Sequence, residues 1–449
     1  MLVQELASCR VLFGPGSLAR VPDESRRLGC AAVLLIAATS AKPHADELAA
    51  ALGARLAARI DGVVPHVPEQ AAAEALRLAT EVGADGLVSV GGGSATGLAK
   101  AVARTTRAPI LAVPTTYAGS EMTPVWGITA GGRKTTGSDP AVRPRTVVYD
   151  PRLTVSMPPG VTASSGMNAA AHCVTALTVG SGGLKSEAGT QETGGPAKPS
   201  GSPPVNRGSG GLKSEAGTQE TGGPAKPSGS PPVNRGSGGL KSEARTQETG
   251  GPAKPSGSPP VNQGSVGPLT ALFAEQGLRA LAAALPGCVD RPGDLTARGE
   301  ALWGAWLAGL ALMGAGTGLH HKICHVLGGS FGLPHADVHA AVLPHASAHL
   351  HDQAGLARVA GALGGDDAPG AIWDLARRTG AAQSLRQLGM HAEDVDAAAE
   401  QVVASDPGAV ALPAVAELLR MAYEGRRPAS STASPGERPP GRTTRRRPA

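Results

Sequence analysis

Eight of the twelve histidines, His320, His321, His325, His335, His339, His345, His349 and His351, crowd into one stretch of the chain. The densest part, GLHHKICHVLGGSFGLPHADVH, runs from Gly318 to His339. His321 and His325 are four apart, so a helix presents both on one face, and the GGSFGLP turn lets His335 fold back onto them. A separate helical stretch sets Asn168 and His172 four apart. Imidazoles that converge in this way do one of two kinds of chemistry. They ligate a metal ion, or they donate protons and hydrogen bonds to a substrate. The residues alone leave both open.

A second chemical feature is VSVGGGSATGLAKAVA, from Val88 to Ala103, in which an apolar run ends in three glycines and a helical pattern starts at once. Gly91, Gly92 and Gly93 let the backbone approach a phosphate, and the following helix start, at Ser94, offers unpaired N–H groups and a partial positive charge. This is not the GxGxxG fingerprint, and a tight strand-to-helix turn has the same composition. FGPGS, from Phe13 to Ser17, is a further turn that would meet the other end of a nucleotide. In AVPTTYAGSEMTPVWGIT the hydroxyls of Thr115, Thr116, Tyr117 and Ser120 follow another apolar run, where open α/β sheets bind ligands. They suit a nicotinamide ribose or a substrate, and hydroxyls in turns also serve as local caps.

These residues require elements to hold them. AAVLLIAA (Ala31 to Ala38), GLVSV (Gly86 to Val90) and PILAVPTT (Pro109 to Thr116) are short continuous apolar runs, the composition of strands buried on both faces. EQAAAEALRLATEVGA, from Glu69 to Ala84, is helical and lies between the first two. Strand, helix, strand predicts an α/β, doubly wound, Rossmann-like domain over residues 1–150. Beyond it the patterns are almost wholly helical, which predicts an all-α C-terminal domain over 151–180 and 265–427.

The interruption at 181–264 is three copies of a 28-residue unit beginning at Ser181, Ser209 and Ser237. The last copy has Arg245 where the first has Gly189, and Gln263 where it has Arg207. A solenoid unit needs an apolar stripe to stack on its neighbour, and this unit has one Leu and one Val, so a disordered insert is expected. A Pro- and Arg-rich tail over 428–449 is expected to be disordered too. The net charge of +5 belongs to these segments: the repeats carry +3, the tail +4 and the remainder −2. The basic balance therefore gives no support to nucleic-acid binding. No apolar run is long enough for a membrane span, and MLVQELASCR lacks the features of a signal peptide, so a soluble cytoplasmic protein is expected. Cys9, Cys30, Cys173, Cys288 and Cys324 are far apart with no CxxC pair and read as small buried hydrophobes. With aromatics at only 2%, the core must be built from Ala, Leu and Val, which suits closely packed helices.

GGGSATGLAKAVA, PTTYAGSEMTPVWGIT, KTTG at Lys134 to Gly137 followed by VVYDPRLT, SGMNAAAHCVTAL and GLHHKICHVLGGSFGLPHADVHAAVLPH together resemble the iron-containing alcohol dehydrogenase family, and within it the maleylacetate reductase branch. The likeness runs through nearly all of the chain outside the repeats and tail. It implies a dehydroquinate synthase-like fold, a homodimer, and NADH or NADPH as cofactor; no acid or Arg at the end of the second strand chooses between the two. It implies reduction of the carbon–carbon double bond of maleylacetate, a small dicarboxylate, to 3-oxoadipate. Gly91, Gly92, Gly93, Ser94, Thr115, Thr116 and Ser120 are then the cofactor-binding residues. His172, His321, His325 and His335 are the catalytic candidates, and Asn168, Tyr117 and Lys134 the substrate-binding ones. Metal-dependent members hold their ion with an Asp, a His four residues later, and two His fourteen apart. Those positions fall on Asn168, His172, His321 and His335, and a neutral Asn brings no charge to a divalent cation, so no metal is expected; His172, His321 and His335 are the ligands if one is bound. The alternatives are a metal-dependent alcohol or polyol dehydrogenase, and an inactive binding protein whose repeats recruit partners. A long insert beside the helix bearing His172 is tolerable for folding, since closure cost rises only about 0.6 kcal/mol per doubling of loop length.

Overall fold

The computed structural model describes residues 9–131, 133–178, 266–350, 352–405 and 410–428, without the side chains of 133 and 134. The three repeats, the tail beyond its first residue, and His351 lie outside the described residues.

The apolar runs become strands. β1 (Arg10–Phe13), β2 (Val33–Ala37), β3 (Leu56–Asp61), β4 (Gly86–Gly91), β5 (Ile110–Pro114) and β8 (Thr146–Tyr149) form one parallel sheet in the order β1-β8-β5-β4-β2-β3. β6 (Val125–Ala130) and β7 (Arg133–Ser138) form a separate antiparallel hairpin that the run lengths do not announce. Every residue of β2, β4 and β5 is buried. The reason is that successive side chains enter different cores. Val33, Leu35, Val88, Val90, Leu111 and Val113 pack with α1 (Val21–Arg27) and α2 (Lys42–Leu52). Leu34, Ile36, Leu87 and Ile110 pack on the other face with α3 (Glu69–Glu81) and α4 (Gly93–Thr106). Helices on both faces leave no strand side polar, which is why these strands read as unbroken apolar runs.

Strand order sets the crevice. The chain leaves β2 toward β3 at one edge and leaves β4 toward β5 in the opposite direction, with α2 and α4 on opposite faces. The sheet's switch point is thus at the carboxyl ends of β2 and β4, where doubly wound folds bind ligands.

Beyond β8 the chain is helical: α5 (Pro159–Thr178), α6 (Pro268–Asp290), α7 (Leu295–Ala315), α8 (Leu319–Ser330), α9 (His335–Ala348), α10 (Gln353–Ala362), α11 (Ala368–Thr379), α12 (Asp394–Ser405) and α13 (Leu412–Glu424). One core is centred on α5, α6 and α7, and a second lies among α8, α9, α12 and α13. Small residues set the spacing, as the composition implied: a Cβ on Gly304 of α7 would lie 2.9 Å from the Gly277 carbonyl of α6. α8 turns 104° from α7, which carries its histidines back toward α5.

Candidate active site

At the switch point Gly91 ends β4 with φ 147°. A Cβ there would lie 2.7 Å from Ala38 Cβ at the end of β2 and 3.0 Å from Ala95 Cβ, so only glycine fits. Gly92 is the N-cap of α4 and no side chain caps the helix; its first turn holds no acid. A bare helix start at a crevice, with Gly93 and Ser94 as its first residues, fits the diphosphate of a dinucleotide. FGPGS, by contrast, follows β1 at the far edge of the sheet, three strands from β4, about 14 Å by strand spacing. Its amides are already taken, Gly16 and Leu18 by the Asp150 carboxylate and Gly14 by the Tyr149 carbonyl.

The loop after β5 joins the two ends of the site. Thr115 donates its amide to the Gly91 carbonyl, 3.0 Å away. Thr116 packs so closely on Gly92 that a Cβ there would be 3.1 Å from its side chain, and Ala118 and Ser120 face Gly93. One residue further in, Gly119 has φ 74°, and a Cβ on it would lie 3.4 Å from His172 Nδ1. The same short loop therefore touches the glycine turn and the histidine pocket.

Lys100 holds this loop in place. It is fully buried on α4, and its ammonium donates to the carbonyls of Ser120 (2.6 Å) and Val125 (2.8 Å) and to Thr123 Oγ1 (3.2 Å). Burial pulls its pKa down to about 7, opposed by the nearby Glu121. Glu121 is itself buried and accepts from the Tyr149 hydroxyl at 2.7 Å, with burial pushing its carboxyl pKa up. No motif in the sequence marks Lys100, Glu121 or Tyr149 for a role. A lone Lys inside LAKAVA, an otherwise apolar face of the phosphate-binding helix, was the available signal.

Tyr117 is not where the sequence reading put it. It is fully buried; its hydroxyl accepts from Arg298 Nη1 (3.3 Å) and faces Cys288, and its amide donates to Ser165 (2.9 Å). It anchors the loop to the helices, and does not line a pocket. Lys134 lies on β7 opposite Thr129, and its side chain is outside the described residues.

His172 on α5 faces His321 on α8, the two rings stacked at 5.0 Å between centroids, and Asn168 lies one turn before His172 on α5. His339 of α9 lies 4.9 Å from His321, 4.8 Å from His320 and 4.7 Å from His335. His335 stacks on His325 at 5.5 Å, and His325 is exposed. The candidates thus form a chain of rings from the surface at His325 to the buried His172. His320 and His339, which had no assigned role, belong to it. His345 sits further along α9 and His349 at its C-terminal cap, and neither makes a ring contact with this group among the described residues.

Asn168 Oδ1, His172 Nδ1 and both ring nitrogens of His321 are buried without a hydrogen-bond partner and are available to a ligand. Burial first, then neighbouring imidazoles, lowers the pKa of His172 to about 3 and holds His321 and His339 well below the ordinary value; His320 falls to about 4. Burial therefore favours the neutral form of His172, His320, His321 and His339. The same atoms bear on the iron question. Asn168, His172, His321 and His335 offer no anionic donor, and a buried divalent cation held only by neutral groups keeps its full charge in a low-dielectric site. The donor set does not fit iron.

Residues 8–151 match the family described as iron-containing alcohol dehydrogenase, and residues 263–423 match the Fe-containing alcohol dehydrogenase family, C-terminal. The chain is 36% identical to maleylacetate reductase of Burkholderia cepacia over 424 residues, covering 93% of this chain and 97% of the other. It superimposes on the crystal structure of maleylacetate reductase from Rhizobium sp. strain MTP-10005 with TM-score 0.72 and 35% identity, covering 95% of this chain and 99% of that one. An alcohol dehydrogenase from Oenococcus oeni, 19% identical with TM-score 0.69 over 94% of this chain and all of its own, shares the fold.

Proposed function

The chain belongs to the iron-containing alcohol dehydrogenase family, and from that membership we propose that it is an NAD(P)H-dependent oxidoreductase that reduces maleylacetate to 3-oxoadipate without a metal ion. The observation that carries the reading is the loop from Thr115 to Thr123, which packs on the phosphate-binding turn through Thr116 and on His172 through Gly119. Whatever lies along that loop from Gly92 arrives beside the unpartnered imidazoles.

The bound reduced dinucleotide supplies the hydride. Gly91, Gly92 and Gly93 with Ser94 would hold its diphosphate, and Thr115, Thr116 and Ser120 lie along the loop toward its nicotinamide end. Hydride added to the carbon–carbon double bond moves an electron pair onto the conjugated carbonyl oxygen, and a proton must then reach the adjacent carbon. Neutral imidazoles suit the first demand. An N–H of His172 or His321 donates to the developing oxyanion in a site from which water is excluded, where such donation counts most. In this reading Asn168 and His335 hold a carboxylate, and an incoming dianion raises the pKa of the imidazoles beside it, which readies one as proton donor. Tyr117 takes no part beyond anchoring the loop.

The reading extends to a cytoplasmic homodimer. No single helix among the described residues is long and apolar enough to cross a membrane, and the family resemblance supports the dimer. The test is oxidation of NADH and NADPH by chelator-treated full-length protein supplied with maleylacetate. Steady turnover is expected; no turnover, or turnover only after iron or zinc is added, overturns the reading.

A further inference from the structure

We infer that His320, Cys324 and His339 form a binding site for one thiophilic divalent cation of the zinc class, separate from the Asn168, His172, His321 and His335 set. His320 and Cys324 are four apart on α8 and share a face, and His339 comes from the packed helix α9. Their ligand atoms all lie within 4.8 Å of one another. His320 is 6% exposed, and Cys324 and His339 are fully buried. Cys324 Sγ lies 3.6 Å from His320 Nε2, and Nδ1 of both His320 and His339 has no hydrogen-bond partner. Zn–N and Zn–S bonds of about 2.0 to 2.3 Å set tetrahedral ligand separations of about 3.3 to 3.8 Å, so side-chain adjustments of about 1 Å close the triad on an ion.

The donor chemistry separates this triad from the site that fails for iron. In the histidine cluster, Cys324 is the group that can bring negative charge to the ion. Binding exchanges the thiol proton for the metal: the S–H bond breaks, the sulfur keeps the electron pair and bonds the cation, and the proton leaves to solvent with no redox change. One thiolate and two imidazoles select a borderline-soft cation over magnesium or calcium. Exposed His325 stacks on His335, His335 contacts His339 and His339 contacts His320, so a file of imidazoles runs from the surface to the sulfur. His339 Nε2 is 3.2 Å from His335 Nε2, so an ion that claims His339 disturbs His335, and zinc becomes an inhibitor of the reductase. That consequence rests on the proposed activity; the metal site does not.

The experiment titrates chelator-treated full-length protein with Co²⁺ and then Zn²⁺, and follows the near-ultraviolet thiolate-to-cobalt charge-transfer band. One equivalent of cobalt with this band, displaced by zinc, is expected. Cys324→Ser removes the band and weakens cobalt binding at least tenfold, His320→Gln weakens it with the thiol intact, and His172→Ala keeps it. Circular dichroism identifies any variant that does not fold. Absence of the band in the unaltered protein overturns the inference whatever the variants do. So does a band that survives Cys324→Ser, or cobalt binding lost in His172→Ala and kept in Cys324→Ser. If maleylacetate is not turned over, the spectral result stands unaffected.

Discussion

The turn between β4 and α4 and the pocket among α5, α8 and α9 meet the same loop, and they are built from different parts of the chain. The turn is made of backbone: Gly91 and Gly92 contribute no side chain, and their value lies in space that a Cβ would fill. The pocket is made of side chains, among them His172 with Nδ1 and His321 with both ring nitrogens left without a partner, and burial disfavours the charged form of both. A substitution in the first should act through shape, and one in the second through chemistry. Lys100 makes the coupling between them rigid, because a buried ammonium with two carbonyl acceptors cannot let go of the loop without leaving those groups unsatisfied.

The largest test of this contrast is His172→Ala. Removing a donor to a developing oxyanion should lower kcat by about 10²- to 10⁴-fold while dinucleotide affinity stays within about threefold. Single-turnover kinetics and fluorescence titration measure the two separately, and an equal loss in both would show that turn and pocket are one unit. Gly91→Ala should do the reverse. Its Cβ meets Ala38 and Ala95, so the fold should lose about 1–3 kcal/mol in urea unfolding and the KM for dinucleotide should rise about tenfold or more, with the pH profile of kcat unmoved. A displaced pH profile would break the division.

The smallest effect concerns acid. His345, buried on α9, has its pKa pulled from 6.5 to about 4 by burial and by nearby His349. The folded state keeps it neutral, while the unfolded chain takes up a proton below pH 6.5. Stability is therefore intact above that pH and is lost as pH falls toward about 4. His345→Leu should gain on the unaltered protein by about 1–3 °C in Tm between pH 7.5 and pH 5, measured by calorimetry with chelator present. An unchanged gap between the two proteins would mean that the imidazole titrates alike in the folded and unfolded chain.

Much of this was legible in the residues. β2 and β5 fall inside the apolar runs read as strands, β4 runs one residue past its run to Gly91, and α3 begins at the residue expected, Glu69. The glycine turn, the shared faces of Asn168 with His172 and of His321 with His325, and the return of His335 onto His325 all follow from spacing. β1, β3, β8 and the β6–β7 hairpin were not identified as strands. β1 and β3 are only partly buried and carry charged residues, and RKTTGS of β7 has no large apolar residue, so these lack the signal of a central strand; β8, TVVY, is fully buried but only four residues long, too short a run to stand out.

Local patterning determined the α/β and helical halves, the place of the phosphate turn and which histidines share a helix, because period and turn chemistry act over a few residues. Tertiary structure decided the rest. Tyr117 became an anchor when Arg298, 181 positions away, met its hydroxyl. The imidazoles became neutral when packed helices excluded water from them. His320, Cys324 and His339 became a candidate ligand set when α9 folded against α8. Charge state and coordination depend on what surrounds a group in space, and distant segments supply those surroundings only once the chain has folded.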